Sequence, residues 1–189
     1  MISISTSPTK TPPTHPQMAN TTSLLLFTTL LLLHSSSSSS TAVHRRFAQS
    51  YPAAIAEFLN GHNTLRASCN LPPLQWSTTL ASYARWWANQ RKGDCAMIHS
   101  SSNYGENIFW GQGDEWTPTE AVQAWEDEAA YYNYGSNTCM PNRDCTHYTQ
   151  MVWGSTTSVG CARIKCLSGD TFIVCEYDPH GNIYGLRPY

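Results

Sequence analysis

The stretch SVGCARIKCLSGDTFIVCEYD, residues 158–178, decides the fold. Two short β-prone runs, SVGCARIKC and TFIVCEYD, flank LSGD, so the stretch reads as an antiparallel hairpin with Gly169 in its turn. Working outward, NYGENIFW at residues 103–110, followed by the paired glycines of GQG, reads as a third strand. Upstream the apolar spacing becomes that of helices. Ile55, Phe58, Leu59, His62 and Leu65 fall on one face of a first helix, which ends before the paired prolines of NLPPLQW. Ser77 is placed to cap a second helix through TTLASYARWWANQRK, with Leu80, Ala84 and Trp87 on its stripe, Gly93 as its stop, and Arg85, Arg91 and Lys92 on its solvated face. In TPTE, Thr117 takes the cap, Pro118 the first turn and Glu120 the third position of a capping box. From there Val122, Trp125, Ala129 and Tyr132 recur at helical spacing, with Glu128 close to that stripe and Glu126 and Asp127 toward solvent. Helices interspersed with a few strands predict an α+β fold of stacked layers, with helices covering both faces of a small sheet. GQG lacks the rest of a phosphate-binding fingerprint and carries no nucleotide signal.

The chain has 189 residues, enough for one domain. Its first 42 residues differ from the rest. The apolar run LLLFTTLLLL at residues 24–33 is about half the length a bilayer-spanning helix needs. With Ser40 and Ala42 behind it, this run reads as the core of a secretory signal peptide cleaved after Ala42, leaving residues 43–189 as a single domain. Met18 is an alternative start, because the segment before the apolar run is long and carries only Lys10 as a Lys or Arg. The Asn20 sequon falls inside this leader.

All seven cysteines follow the cut, and secretion into an oxidising compartment makes a disulfide framework the default, with one thiol left over. Zinc fingers are disfavoured by the absence of any C-x-x-C pair. The mature part holds 10 Lys and Arg (11 less Lys10) against 13 Asp and Glu, a balance that points to no nucleic acid. Seven Trp and ten Tyr, all beyond the leader, supply area for a core.

Seven segments in order, FLNGHNTLR, LQWSTTLASYARWWANQ, GDCAMIHS, YGENIFWG, AVQAWEDEAAYYNY, CTHYTQMVWGSTTSVGCARIKC and FIVCEYDPHGNIYGLRPY, together resemble the plant pathogenesis-related protein 1 group. That group lies within the superfamily of cysteine-rich secretory proteins and insect venom allergens. The resemblance spans essentially the whole mature chain. Thr146 and Glu176 depart from the pattern, Glu176 standing where an asparagine is expected. The resemblance implies a three-layer α-β-α sandwich (CAP or SCP domain) stapled by Cys95–Cys166, Cys139–Cys145 and Cys161–Cys175, with Cys69 unpaired and read as a buried small hydrophobe. It also implies a cleft shared by His99, Glu106, Glu128 and His147, with His99 and His147 as candidate metal ligands, zinc being the cation such groups suit.

Each of these four residues has a plainer reading: His147 as a core histidine, Glu106 as an acceptor for turn amides, Glu128 as a helix-surface acid, and His99 as a structural neighbour of Cys95. No catalytic residue is assigned, because the serines of SSSN lack a strained turn to present a nucleophile. The function implied by the resemblance is that of a monomeric plant defence protein, secreted to the apoplast. It would bind a sterol or another lipid without chemistry and act against fungi and oomycetes, with microbial membranes as targets. Two readings compete: a metal-dependent hydrolase built on the His/Glu cleft, and a precursor that releases residues 179–189 as a signalling peptide.

Overall fold

The computed structural model describes residues 51–189 in full, together with the backbone of residues 2–4 and 39–50. The apolar run at 24–33, Met18 and Asn20 lie outside the described residues, and Ala42 falls in the first turn of α1. Five strands form one sheet in the order β1 (Ile2–Ile4), β3 (Gly105–Gly111), β7 (Thr171–Asp178), β6 (Ser158–Lys165) and β2 (Gln75–Trp76). Its centre is antiparallel: β3 pairs with β7, and β7 with β6 across the turn at Gly169, whose φ of 97° only glycine adopts freely. β4 (Tyr132–Asn133) and β5 (Thr138–Cys139) form a separate ribbon.

Helices α1 (Ser39–Ser68) and α3 (Pro118–Glu126), with the short α4 (Thr146–Met151), cover one face of the sheet, and α2 (Thr78–Gln90) covers the other. The larger core gathers Phe58, Phe109, Trp125, Met151, Ile173 and Tyr177. The smaller one gathers Ala84, Ala88, Ile108, Phe172 and Val174 under α2. α2 lies so close to the sheet that a Cβ on Gly160 would sit 2.2 Å from the Ala81 nitrogen. This is the α+β three-layer sandwich expected from the sequence.

The caps form as read: Ser77 accepts the Leu80 amide, and Thr117 and Glu120 close the capping box. Two details differ. α2 stops at Gln90 with Arg91 as its C-cap, before Gly93. α3 tightens into a 3-10 turn over Asp127–Tyr131, so the helical stripe stops at Trp125, Ala129 becomes exposed and Tyr132 starts a strand.

The disulfides join Cys95–Cys166, Cys139–Cys145 and Cys161–Cys175. Cys161 and Cys175 are directly opposed on the β6–β7 ladder, so a slip of one residue would separate them. Bridges of this kind contribute about 2 to 4 kcal/mol each. Cys69 is free and half-buried, packed against the larger core.

Arg66, at the end of α1, is buried without a carboxylate. Its guanidinium donates to the carbonyls of Pro72, Met151, Trp153 and Thr156, tying α1 to the loop before β2 and to the chain leaving α4. Arg66→Ala would leave four carbonyls short of a donor and is expected to cost on the order of 3 kcal/mol. Arg66→Lys, which cannot fork to several acceptors, should recover only part of that loss; denaturant titration of both variants measures it.

Candidate functional site

His147 sits in the first turn of α4, almost wholly buried, its ring stacked on Trp125 at 6.2 Å and 12°. Glu128 reaches it from the 3-10 turn after α3. One carboxylate oxygen accepts the His147 Nδ1–H at 2.7 Å; the other accepts the His147 and Tyr148 backbone amides at 3.0 and 3.1 Å. Glu128 therefore caps α4 from outside, where exposed helix amides and the helix dipole both favour an anion. Glu128 is thus buried against His147 rather than standing as a helix-surface acid. Asp144 adds to the same end, accepting the Thr146 amide and hydroxyl. Its spacing in DCT is that of an Asx turn, a signal the sequence carried.

His99 and Glu106 form a second pair. His99 Nδ1 donates to Glu106 Oε1 at 2.6 Å, and the same oxygen accepts the Ser100 amide at 2.9 Å, so Glu106 does collect a turn amide. The His99 side chain is 49% exposed and that of Glu106 5%. Burial opposes the Glu106 charge, but the bonds from His99 and Ser100, with the neighbouring Glu176 carboxyl, outweigh it and hold the carboxyl below its usual range. Adjacent residues of β3 lead to the two pairs. Glu106 points with Ile108 toward α2, whereas Asn107 points the other way and donates to the His147 carbonyl.

Asn107 also donates to the Tyr177 hydroxyl. That hydroxyl donates to His62 Nε2 at 2.8 Å, while His62 Nδ1 donates to the Phe58 carbonyl. Burial pushes His62 down to about 4, so it stands neutral in this chain of bonds from α1 through the sheet to α4. Asn107, Tyr177 and the bonding role of His62 were not evident from the sequence, because the bonds that join them to one another and to α4 span 40 to 115 residues.

The family model described as the cysteine-rich secretory protein family, CAP, matches residues 59–177. The chain belongs to the CAP family. The Medicago truncatula protein named pathogenesis-related protein PR-1 is 54% identical over 134 residues, covering 70% of this chain and 78% of that protein. The solved structure titled NaASP2 with Zn2+ aligns with a TM-score of 0.60 at 27% identity, over 72% of this chain and 84% of that one. Na-ASP-1 aligns at 0.61 and 25% identity, and the match spans 72% of this chain and 41% of that longer chain.

Among the described residues the zinc-type donors that cluster are Glu128, Asp144 and His147, with ligand atoms all within 4.8 Å of one another. The carboxylates already accept backbone amides and the His147 ring, so a metal there would compete with the bonds that start α4. His99 and Glu106 fall outside that cluster. These bonds make Glu128, Asp144 and His147 a hydrogen-bonded corner at the start of α4. Nor do Ser100 and Ser102 hydrogen-bond to His99; the Ser100 hydroxyl accepts the Ser102 amide instead.

A groove of about 260 Å³ opens beside α4, lined by Tyr132, Thr149, Trp153, Ile183, Leu186 and Pro188 among others, and by none of the two histidines and two glutamates. Its outer wall is the C-terminal tail. The tail is held by Gly181 N–H to Gln150, Thr149 hydroxyl to Asn182, Asn137 to the Leu186 carbonyl, Gly154 N–H to the Pro188 carbonyl and Tyr148 to Tyr189.

Glu176, the departure noted in the sequence, is wholly buried opposite Glu106 on the β3–β7 ladder. Burial first, and the Glu106 charge second, push its carboxyl up from 4.5 to about 9. The folded chain thus holds a proton that the unfolded chain releases above about 4.5, so this contribution to stability is complete below that pH and is lost as pH rises toward 9. Stability of the wild type minus that of Glu176→Gln, followed by denaturant titration, should fall steadily across this range; parallel curves would contradict the assignment. Glu128→Ala, which strips three donors at the α4 corner of their acceptor, should destabilise by on the order of 3 kcal/mol in the same assay.

Proposed function

We propose that this chain is a secreted plant defence protein that binds a sterol or similar apolar lipid and needs neither a cofactor nor a metal to do so. The observation that carries this reading is the apolar rim of the groove. Ile183, Tyr184 and Leu186 stand exposed along its tail wall, and Tyr132 and Trp153 line it with them. Exposed large apolar side chains gathered at one concave site mark binding surfaces in proteins of this size. The polar lining from Asn137, Thr149 and Asn182 would orient a single hydroxyl. Three disulfides support an oxidising, extracellular destination, and the plant relatives named for pathogenesis support a defence role.

Hydrolysis finds less support, since the buried imidazole is bonded to a helix-capping carboxylate and the exposed one to Glu106 rather than to a hydroxyl. Release of residues 179–189 would have to break the bonds that seat the tail and would remove one wall of the groove.

Purified protein should bind a fluorescent sterol, and Leu186→Asp with Ile183→Asp should weaken that binding by about tenfold or more, the equivalent of about 1.4 kcal/mol. His147→Ala tests the competing enzyme reading: ester or peptide turnover lost in this variant would favour hydrolysis. Undiminished sterol binding by the double Asp variant would remove the groove as the site.

A further inference from the structure

The tail that walls the groove is seated on phenols. Tyr189 lies stacked on Tyr134, their ring centroids 5.1 Å apart and their planes 28° apart. Tyr134 meets Tyr132 edge-on at 6.4 Å, and Tyr132 meets Tyr148 at 5.9 Å. The Tyr148 and Tyr189 hydroxyls share a hydrogen bond of 3.2 Å, so the four rings close a circuit. Two further contacts fix the tail on Tyr134. The Tyr134 hydroxyl donates to the Tyr189 carbonyl, and the Arg187 guanidinium lies 5.2 Å over the Tyr134 ring while donating to the Tyr134 and Gly135 carbonyls. Within the circuit Tyr134 and Tyr189 are the members open to solvent, 46% and 39% exposed, whereas Tyr148 is buried and Tyr132 half-buried.

We propose that Tyr134 and Tyr189 are a site of oxidative cross-linking, at which a haem peroxidase fed by hydrogen peroxide joins the two phenols as dityrosine. Each phenol gives up one electron and one proton, leaving a phenoxyl radical whose unpaired spin reaches the ring carbons beside the oxygen. The two radicals form a carbon–carbon bond between such carbons. Each joined carbon then passes its hydrogen to the oxygen of its own ring as the ring regains aromaticity. The two electrons and two protons go to one hydrogen peroxide, which leaves as two waters. Coupling needs both radicals in contact at once, and a pair already stacked and tied removes the diffusional search that limits free phenols. The bond would fix the outer wall of the groove and keep residues 179–189 attached even after a cut ahead of them. It depends on the oxidising destination that the disulfides support, and not on which ligand the groove takes. Other couplings fit less well. Tyr83 and Tyr104 meet at 79° and both are half-buried. Cys69 lies 4.0 Å from the Tyr148 hydroxyl, where a thioether could form, but Tyr148 is closed to an external oxidant.

The test treats the purified protein, expressed from the full chain and kept dilute, with a haem peroxidase and hydrogen peroxide. Dityrosine fluorescence should rise while the protein stays monomeric and loses the mass of two hydrogen atoms. Peptide mapping should find the segments carrying Tyr134 and Tyr189 joined. Tyr134→Phe and Tyr189→Phe, which keep the rings, should each lower the yield about tenfold or more, because the remaining phenol has lost its preorganised partner. Tyr83→Phe should leave it unchanged. Near-ultraviolet circular dichroism checks that the three variants fold. A linkage mapped to Cys69 or to other tyrosines, coupling between chains in place of the internal bond, oxygen added at the exposed Trp86 with no loss of hydrogen, or full yield in either of the first two variants would each overturn the proposal.

Discussion

The structure depends on a strand buried on both faces. From Thr171 to Tyr177 every residue of β7 is buried, so the usual alternation of inward and outward side chains is absent and both faces need a covering layer. Val174 and Phe172 meet α2, whereas Ile173 and Tyr177 meet α1, α3 and α4. With no side of β7 open to water, each polar group on it requires a partner inside the protein. Cys175 is joined to Cys161, and the Tyr177 hydroxyl is held between His62 and Asn107. At Glu176 the carboxyl faces another carboxyl, and protonation is the available relief.

The same constraint explains how charge is handled elsewhere in the interior. Arg66 is buried against backbone carbonyls of the chain leaving α4, and Glu128 against amides at the start of that helix. Both sit at helix ends, where backbone groups go unpaired within the helix. Each serves as a corner piece. Arg66 closes α1 against the chain leaving α4, and Glu128 closes the turn after α3 against the chain entering it. His147 owes its orientation to the second of these corners and to Trp125 beneath it.

What could be read from the sequence follows from the range of the interactions. The Thr117 box, the Ser77 cap and the Gly169 turn are complete within four residues, so local chemistry reveals them. The layers follow because helical and strand spacings are themselves local. Ala129 was misplaced because the turn tightens after Glu126, and no residue there announces the change from 3.6 to three residues per turn. The His62–Tyr177–Asn107 chain joins residues from three elements, and a histidine on an apolar helix face looks the same in sequence whether it is bonded or not. The two His/Glu pairs were visible as residue types. Their different settings, one at a helix corner and one at the surface, depend on strand alternation at residues 106 and 107 and on the route of the chain after α3.

That separation bears on what the domain can do. Chemistry of the hydrolase kind needs base, nucleophile and stabilising dipole to converge within about 3 Å of one reacting atom. Here Glu106 points toward α2, while its neighbour Asn107 bonds the His147 carbonyl on the side of α1 and α3. A sheet covered on both faces and cross-linked by disulfides holds the surface elements still. The tail beside α4 and the outer face of α2 are both external to the core, so their exposed side chains can vary without disturbing β7. Exposed residues on either side can therefore change while the packing on the two faces of β7 stays in place.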